Sequence, residues 1–176
     1  MRRGPTGPRP QPTTRRLVTR FVLRVILGWS LVLLLLALLP QVEAWTIGAT
    51  LANLGFTLRV FGAEGHVSGD VLYGSRATVQ IVGECTSLLP TVLLGVAIAS
   101  YPASAVWKLL GVVGGTIGLW IYNLLRVLVL FAILGWRPQW FEFIHVYVWQ
   151  TVTFVTVFGF FLVWLRLQES PPAGAP

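Results

Sequence analysis

Four stretches of the chain are dense in apolar residues, at about 17–39, 86–101, 105–134 and 140–165. A helix needs roughly 20 mostly apolar residues to cross the hydrocarbon core of a bilayer. Three of the stretches reach that length, whereas the second is shorter. The pattern predicts an all-α polytopic membrane protein with about four transmembrane helices.

The segment between the first two stretches, residues 40–85, carries two different periodicities. Within 45–62 apolar residues recur at helical spacing, which predicts an amphipathic helix on the membrane surface or against the spans. Within 66–82 apolar and polar residues alternate on either side of Gly74-Ser75, which predicts a short two-armed β-hairpin. The apolar positions of the predicted helix are Ile47, Leu51, Leu54, Leu58 and Phe61.

Residues 17–167 are interpreted as one membrane domain between two tails, 1–16 and 168–176, which contain little to bury and are predicted to be disordered. The first stretch has an alternative interpretation as a cleaved signal peptide, because Val42-Glu43-Ala44 resembles a cleavage site. Its long basic lead favours a retained span. On the third stretch, two Gly-x-x-x-Gly spacings predict close helix packing through Gly111, Gly114, Gly115 and Gly118.

The composition indicates lipid as the solvent, because 55% of the residues are hydrophobic and only 11% are charged. Soluble domains carry about a quarter charged residues. The net charge of +7 raises nucleic-acid binding as an alternative. However, basic residues cluster before the densest part of the first span, Val25–Leu39, as is typical of a cytoplasmic flank. They are Arg2, Arg3, Arg9, Arg15, Arg16, Arg20 and Arg24.

Charge also predicts the orientation in a cytoplasmic membrane. With the N-terminus inside, the leading arginines, Lys108 and Arg166 all fall on the inner side, as the positive-inside rule expects. Segment 40–85 then lies on the extracytoplasmic side. Most acidic residues fall on that side or at its border, namely Glu43, Glu64, Asp70, Glu84 and Glu142.

Cys85 is the one cysteine of the chain and directly precedes the second span, on the predicted outer side. A helix N-terminus favours a thiolate through its dipole, and its unpaired N–H groups can hold an oxyanion. Thr86 or Ser87 can cap this helix, and Pro90 is tolerated in a first turn. The alternative is a small apolar filler without a chemical role.

Arg126 and His145 emerge at the same predicted depth. Arg126 lies within the third span, with Asn123 on the same helix face, and an ionisable residue there indicates function unless it snorkels to the interface. His145 opens the fourth span, and Glu142 is spaced to orient its imidazole; the alternative is a histidine of the interfacial aromatic belt. His66, before the hairpin, is a weaker catalytic candidate.

These positions converge near the outer face, where a thiol, a guanidinium and an imidazole form a sufficient set for acyl transfer. The sequence contains no Gly-x-Ser-x-Gly, His-Glu-x-x-His or phosphate-loop motif. One cysteine and two histidines argue against a zinc site, and no cofactor is expected.

At these residues the chain resembles the exosortase/archaeosortase family of membrane transpeptidases. That family carries a cysteine in an Ala-Cys-Ser-Gly-like motif, an arginine in Asn-x-x-Arg, and a later histidine. The matching positions are Cys85 in Glu-Cys-Thr-Ser-Leu, Arg126 in Asn-Leu-Leu-Arg, and His145. The order and spacing match over roughly residues 45–165. Glu84 and Ser87 depart from the usual small-residue context, and Glu84 opposes thiolate formation by like charge.

The resemblance implies a thioester mechanism. Cys85 is expected to attack a peptide bond near the C-terminus of an exported protein that carries a short motif, a transmembrane helix and a basic tail. His145 handles protons, Arg126 stabilises the oxyanion, and an acceptor amine or water resolves the thioester.

Two other classes of function stay open at this point. In the first, the chain is a non-catalytic membrane accessory subunit or a small-ligand transport subunit, in which Arg126 and His145 bind an anion and Cys85 is inert. The second, a membrane phosphatase, needs further basic and histidine positions that the chain lacks.

Overall fold

In the computed structural model the residues described are 14–62 and 65–169. The predicted disordered tails lie mostly outside this range. Where they overlap it, the prediction is wrong, because the first helix already begins at Thr14 and the last continues to Glu169.

The described residues are mostly helical, with one small sheet. In chain order they form α1 (Thr14–Leu38), α2 (Pro40–Val60), β1 (Gly65–Ser68), β2 (Val71–Gly74), β3 (Thr78–Gln80), α3 (Leu88–Ser100), α4 (Ala105–Trp136), α5 (Phe141–Phe143) and α6 (Trp149–Glu169). Two 3₁₀ turns occupy Gly83–Cys85 and Pro138–Trp140, and a π-helical turn, Ile144–Val148, joins α5 to α6.

Three helical stretches are long and apolar enough to cross a membrane, namely Arg16–Leu38, Ala105–Trp136 and Pro138–Gln168. They coincide with the first, third and fourth predicted spans, so the fold is compatible with a membrane protein. The second predicted span is α3, which has 13 residues. A helix of that length covers about 20 Å, less than the ~30 Å hydrocarbon core. The count of four spans therefore stays a prediction.

α3 lies among α1, α4 and α6, and glycines of α4 allow close packing around it. Gly111 faces the Trp164 indole, Gly115 faces the Leu94 side chain, and Gly118 faces the Phe160 ring, so that a Cβ at any of them would collide. Small residues at such positions let membrane helices approach closely. The packing role predicted for these glycines is confirmed, except at Gly114, where the neighbouring space is open.

α1 packs against α3 and α6 although most of its apolar surface is exposed. A Cβ on Gly28 would meet the Val96 side chain of α3. The ring of Phe21 lies 6.2 Å from that of Tyr101 and 6.1 Å from that of Phe161, measured between centroids. These contacts join α1 to the helices around α3.

α2, the sheet and α4 enclose a second apolar core. Its buried members are Leu51, Leu54, Leu58, Leu72, Ile81 and Val127. A helix over these residues is thus confirmed, and three of its five predicted apolar positions are buried. Phe61 lies just beyond the helix and is 80% exposed.

The sheet has three antiparallel strands in the order β1-β2-β3, so the predicted two-armed hairpin is wrong in its first arm. The chain already reverses at Gly69-Asp70, because Gly69 adopts a φ of +61° that suits the first position of a two-residue hairpin turn. The second reversal follows Gly74 as predicted, where the Gly74 N–H donates to the Ala77 carbonyl at 2.9 Å.

Candidate active site

Cys85 ends the 3₁₀ turn Gly83–Cys85 that connects β3 to α3. The sequence predicted a cysteine at the helix start, but α3 begins only at Leu88, because extended backbone at Thr86 (φ −99°, ψ 166°) interrupts the helix. The first free N–H groups of α3 therefore lie beyond the cysteine. The Cys85 side chain is half-buried.

Ser87 holds the N-cap position of α3, whereas Thr86 supplies the side-chain hydrogen bond at this helix end. Ser87 occupies the N-cap position, but its side chain makes no capping hydrogen bond. Thr86 is buried, its hydroxyl oxygen accepts from the Leu88 N–H at 3.3 Å, and its hydroxyl donates to the Gly83 carbonyl at 2.8 Å. Thr86 thereby fastens the turn that carries Cys85 to the start of α3. Pro90 lies in the first turn of α3, as predicted.

α4 holds the same turn through two buried polar side chains. Asn123 and Arg126 are 4% and 8% exposed. The Asn123 Nδ2 group donates to the carbonyl of Cys85 at 2.9 Å, and the Arg126 Nη1 group donates to the carbonyl of Glu84 at 3.2 Å. Their spacing of three places them on one helix face, as predicted. Two consecutive carbonyls beside the thiol are therefore fixed by α4.

Arg126 retains an unused donor. Its Nε group is buried and has no hydrogen-bond partner among the described residues. Leaving a buried charged donor unpaired costs free energy, and such a group in a native structure calls for an explanation. An acceptor atom of a ligand or of a reacting group would satisfy it.

His145 lies in the π-helical turn, half-buried, with its ring stacked on that of Phe141 at a centroid distance of 5.4 Å. Glu142 is exposed and makes no hydrogen bond to His145 in the described part of the chain, so the expected orienting contact is absent. Sequence reasoning missed Phe141, although its spacing of four from the histidine was an available signal.

Cys85, Arg126 and His145 line one cavity of about 170 Å³. Its other walls come from β3 with the residues that follow it, the apolar side of α4, and Phe141. The three side chains singled out from the sequence are therefore brought together, although they come from three separate segments of the chain.

A larger cavity of about 360 Å³ also borders Arg126 and His145. Apolar side chains of α1, α3 and α6 form most of its wall, and Glu84 lines it while Cys85 does not. Arg126 and His145 thus belong to both cavities, whereas Cys85 lines the smaller one and not the larger one.

His66 is not brought to either cavity. It lies in β1, exposed, and stacks on Tyr73 with 5.0 Å between the ring centroids. Within residues 14–62 and 65–169, no group of three or more His, Cys, Asp and Glu side chains could hold a metal ion.

No protein-family model matches this chain, and no curated protein or solved structure is significantly similar to it. The class that fold and site define is a mostly helical protein, compatible with a membrane, whose single thiol shares a cavity with a buried arginine and a histidine.

Proposed function

We propose that this protein is a membrane-embedded cysteine peptidase or transpeptidase of the exosortase/archaeosortase type. The observation that carries the proposal is the one cavity that Cys85, Arg126 and His145 line together. A nucleophile, a proton carrier and an oxyanion donor are the set that acyl transfer needs. The choice of substrate, the C-terminal sorting signals of exported proteins, rests on the sequence resemblance.

The chemistry follows from the three side chains. The Cys85 thiol gives its proton to His145 and attacks the scissile carbonyl carbon, and the unpaired Nε–H of Arg126 donates to the oxyanion. Collapse breaks the C–N bond, His145 protonates the leaving amine, and a thioester remains on Cys85. An acceptor amine or water then attacks the thioester and passes its proton to His145, and that proton returns to the released thiol.

Asn123 and Thr86 are positioning residues in this proposal. Both act on the backbone of the turn around Cys85 rather than on the reacting atoms. The charge distribution supports a cytoplasmic membrane location with the N-terminus inside and the site at the extracytoplasmic face. A substrate whose cleavage site lies just outside its own transmembrane helix suits an enzyme in that position.

The proposal is tested by comparing the C-termini of exported proteins, by mass spectrometry, in cells that carry the wild type or a variant. With Cys85→Ala we expect substrates to keep their C-terminal helices, and with His145→Ala processing falls by roughly 10²- to 10⁴-fold. Arg126→Lys loses the guanidinium donor, and we expect a fall of about 10²- to 10³-fold.

Arg76→Lys is the matched control, because this arginine is exposed in the turn between β2 and β3 and lines neither cavity. Its processing should equal that of the wild type. Identical exported C-termini in the Cys85→Ala and wild-type cells would refute the peptidase proposal.

The larger cavity favours a second candidate function. Its walls are mostly apolar, Arg126 and His145 border it, and Cys85 does not line it. Such a cavity suits a small anionic ligand held by a non-catalytic accessory or transport subunit. In that case Cys85→Ala behaves as the wild type, while Arg126→Met abolishes the function.

A further inference from the structure

The outer edge of β3 carries backbone groups that no strand pairs with. β3 is the last strand of the sheet, and the Ile81 N–H donates back toward β2, to the Asp70 carbonyl, at 2.9 Å. Backbone groups of successive residues alternate in direction along a strand. The backbone N–H and carbonyl groups of Gln80 and Val82 therefore point to the opposite edge of β3, where no other described strand lies.

Besides Thr78 at its far end, this edge has three hydrogen-bonding groups near Cys85 that no hydrogen bond to a described residue uses. The Val82 carbonyl is already used, since it accepts from the Cys85 N–H at 2.9 Å. The N–H and carbonyl of Gln80 and the N–H of Val82 remain. An exposed strand edge of this kind is a template for an added strand.

This edge leads to the thiol. Gln80 and Val82 line the same cavity of about 170 Å³ as Cys85, with Phe141 and His145 contributed from the helical side. After Val82 the chain leaves the strand direction in the 3₁₀ turn Gly83–Cys85. A strand added beside β3 would therefore continue past the cysteine side chain.

We propose that the substrate binds as an extended peptide that adds a strand to the free edge of β3 and so carries its scissile bond to Cys85. The inference rests on the proposed function and names how its substrate is held. Main-chain hydrogen bonds supply affinity in this mode, and pockets for alternate side chains supply selectivity.

The cavity indicates the chemistry of the occupant. Val79, Leu130 and Phe131 provide apolar wall, so a small apolar side chain suits the residue that faces them. A proline or an N-methylated residue does not suit the position paired with Gln80, because it removes the donor to the Gln80 carbonyl. The peptide, rather than a second copy of the chain, is inferred because this edge is continuous with the cavity of the thiol.

The test compares two thiol reagents on the full chain purified in detergent. Iodoacetamide carries no peptide, and acetyl-dialanyl chloromethyl ketone presents peptide N–H and carbonyl groups. The ratio of their rate constants for alkylating Cys85 measures peptide recognition. Gln80→Pro and Gln80→Ala both remove the side-chain hydrogen bond to Asp70, which spans 2.6 Å. Only the proline variant removes the backbone N–H.

We expect the ratio to fall by up to about tenfold in Gln80→Pro, the effect of one backbone hydrogen bond, and to stay unchanged in Gln80→Ala. On the wild type, the N-methylated form of the dialanyl reagent should show the same fall in the ratio of rate constants. This second measurement keeps the test decisive if Gln80→Pro does not fold. Equal ratios for the two variants, with no effect of N-methylation, would overturn the inference.

Two further readings separate the possible outcomes. The rate of alkylation by iodoacetamide in His145→Ala tests the catalytic assignment alone, since that reagent has no peptide that could pair with β3. An unchanged rate counts against the peptidase. The comparison of Gln80→Pro with Gln80→Ala does not depend on that result. A dimer in detergent that Gln80→Pro converts to a monomer would show that β3 pairs with a second copy, and would overturn the peptide inference.

Discussion

Asn123 and Arg126 donate to the carbonyls of two consecutive residues, Cys85 and Glu84, and both side chains are buried. A buried carbonyl has no water molecule that could replace a lost donor. Removing the donor therefore leaves the carbonyl without a hydrogen bond, which costs free energy. At the residue scale, the position of the thiol is therefore set by amide and guanidinium groups of the neighbouring helix.

Asn123→Ala is expected to lower the free energy of unfolding by about 1–3 kcal/mol, because the Cys85 carbonyl is left without its donor. Thr116→Ala is the matched control on the same helix, since Thr116 bonds only locally, to the Val112 carbonyl at 2.7 Å. Denaturant titration of the helical circular dichroism signal in detergent measures both. Equal destabilisation of the two variants would contradict a role for the contact between α4 and the turn.

Sequence reasoning reached part of this arrangement. The shared helix face of Asn123 and Arg126 follows from their spacing of three and could be predicted. Their acceptors could not, because two backbone carbonyls 38 and 42 positions away in the chain carry no residue-type signal. Glu142 was a sensible partner for His145 by its spacing of three, but the ring that packs on the imidazole is that of Phe141, four residues away.

At the scale of elements, α4 organises the molecule with two different surfaces. Near its start, glycines admit large side chains of α3 and α6; near its end, Asn123, Arg126 and Val127 face the turn and the sheet. The Trp164 indole is held against Gly111, because its Nε1 group donates a hydrogen bond to the Trp107 carbonyl at 2.8 Å. The indole has little freedom to move away.

Gly111→Ala is therefore expected to destabilise the protein by about 1–3 kcal/mol through overpacking against Trp164. Gly114→Ala has no neighbouring atom to meet, and alanine's better helix propensity should make that variant neutral or up to about 1 kcal/mol more stable. Thermal unfolding followed by tryptophan fluorescence compares them. Should Gly114→Ala prove the more damaging variant, the packing of α4 described above is wrong.

At the scale of the whole molecule, three helices have the length and apolarity of membrane spans, whereas α3 is short. α3 is nevertheless held at both ends: Thr86 and the turn fasten its start, and the Lys108 ammonium donates to the Ala99 carbonyl at its end, at 2.7 Å. The site lies at the same end of the bundle as the sheet. The charge rule predicts that this end faces outward.

Two single-cysteine variants in a Cys85→Ala background test the orientation. Ser75→Cys lies exposed in the β2–β3 turn, and Ala105→Cys lies exposed at the start of α4. A membrane-impermeant methanethiosulfonate reagent should label Ser75→Cys in cells whose outer membrane, where present, has been permeabilised. Ala105→Cys should react only after the cytoplasmic membrane is disrupted. The reverse pattern would invert the predicted topology.

The sequence by itself determined the apolar helices, the buried leucine positions of α2, the packing glycines of α4 and the polar residues of the site, because each depends on residue type and short-range periodicity. Only the tertiary structure decided that a single cavity joins Cys85, Arg126 and His145. It also showed that Cys85 precedes α3 in a turn, and that an unpaired strand edge leads to it. These features depend on contacts between segments distant in the chain, and local pattern does not encode which backbone groups meet.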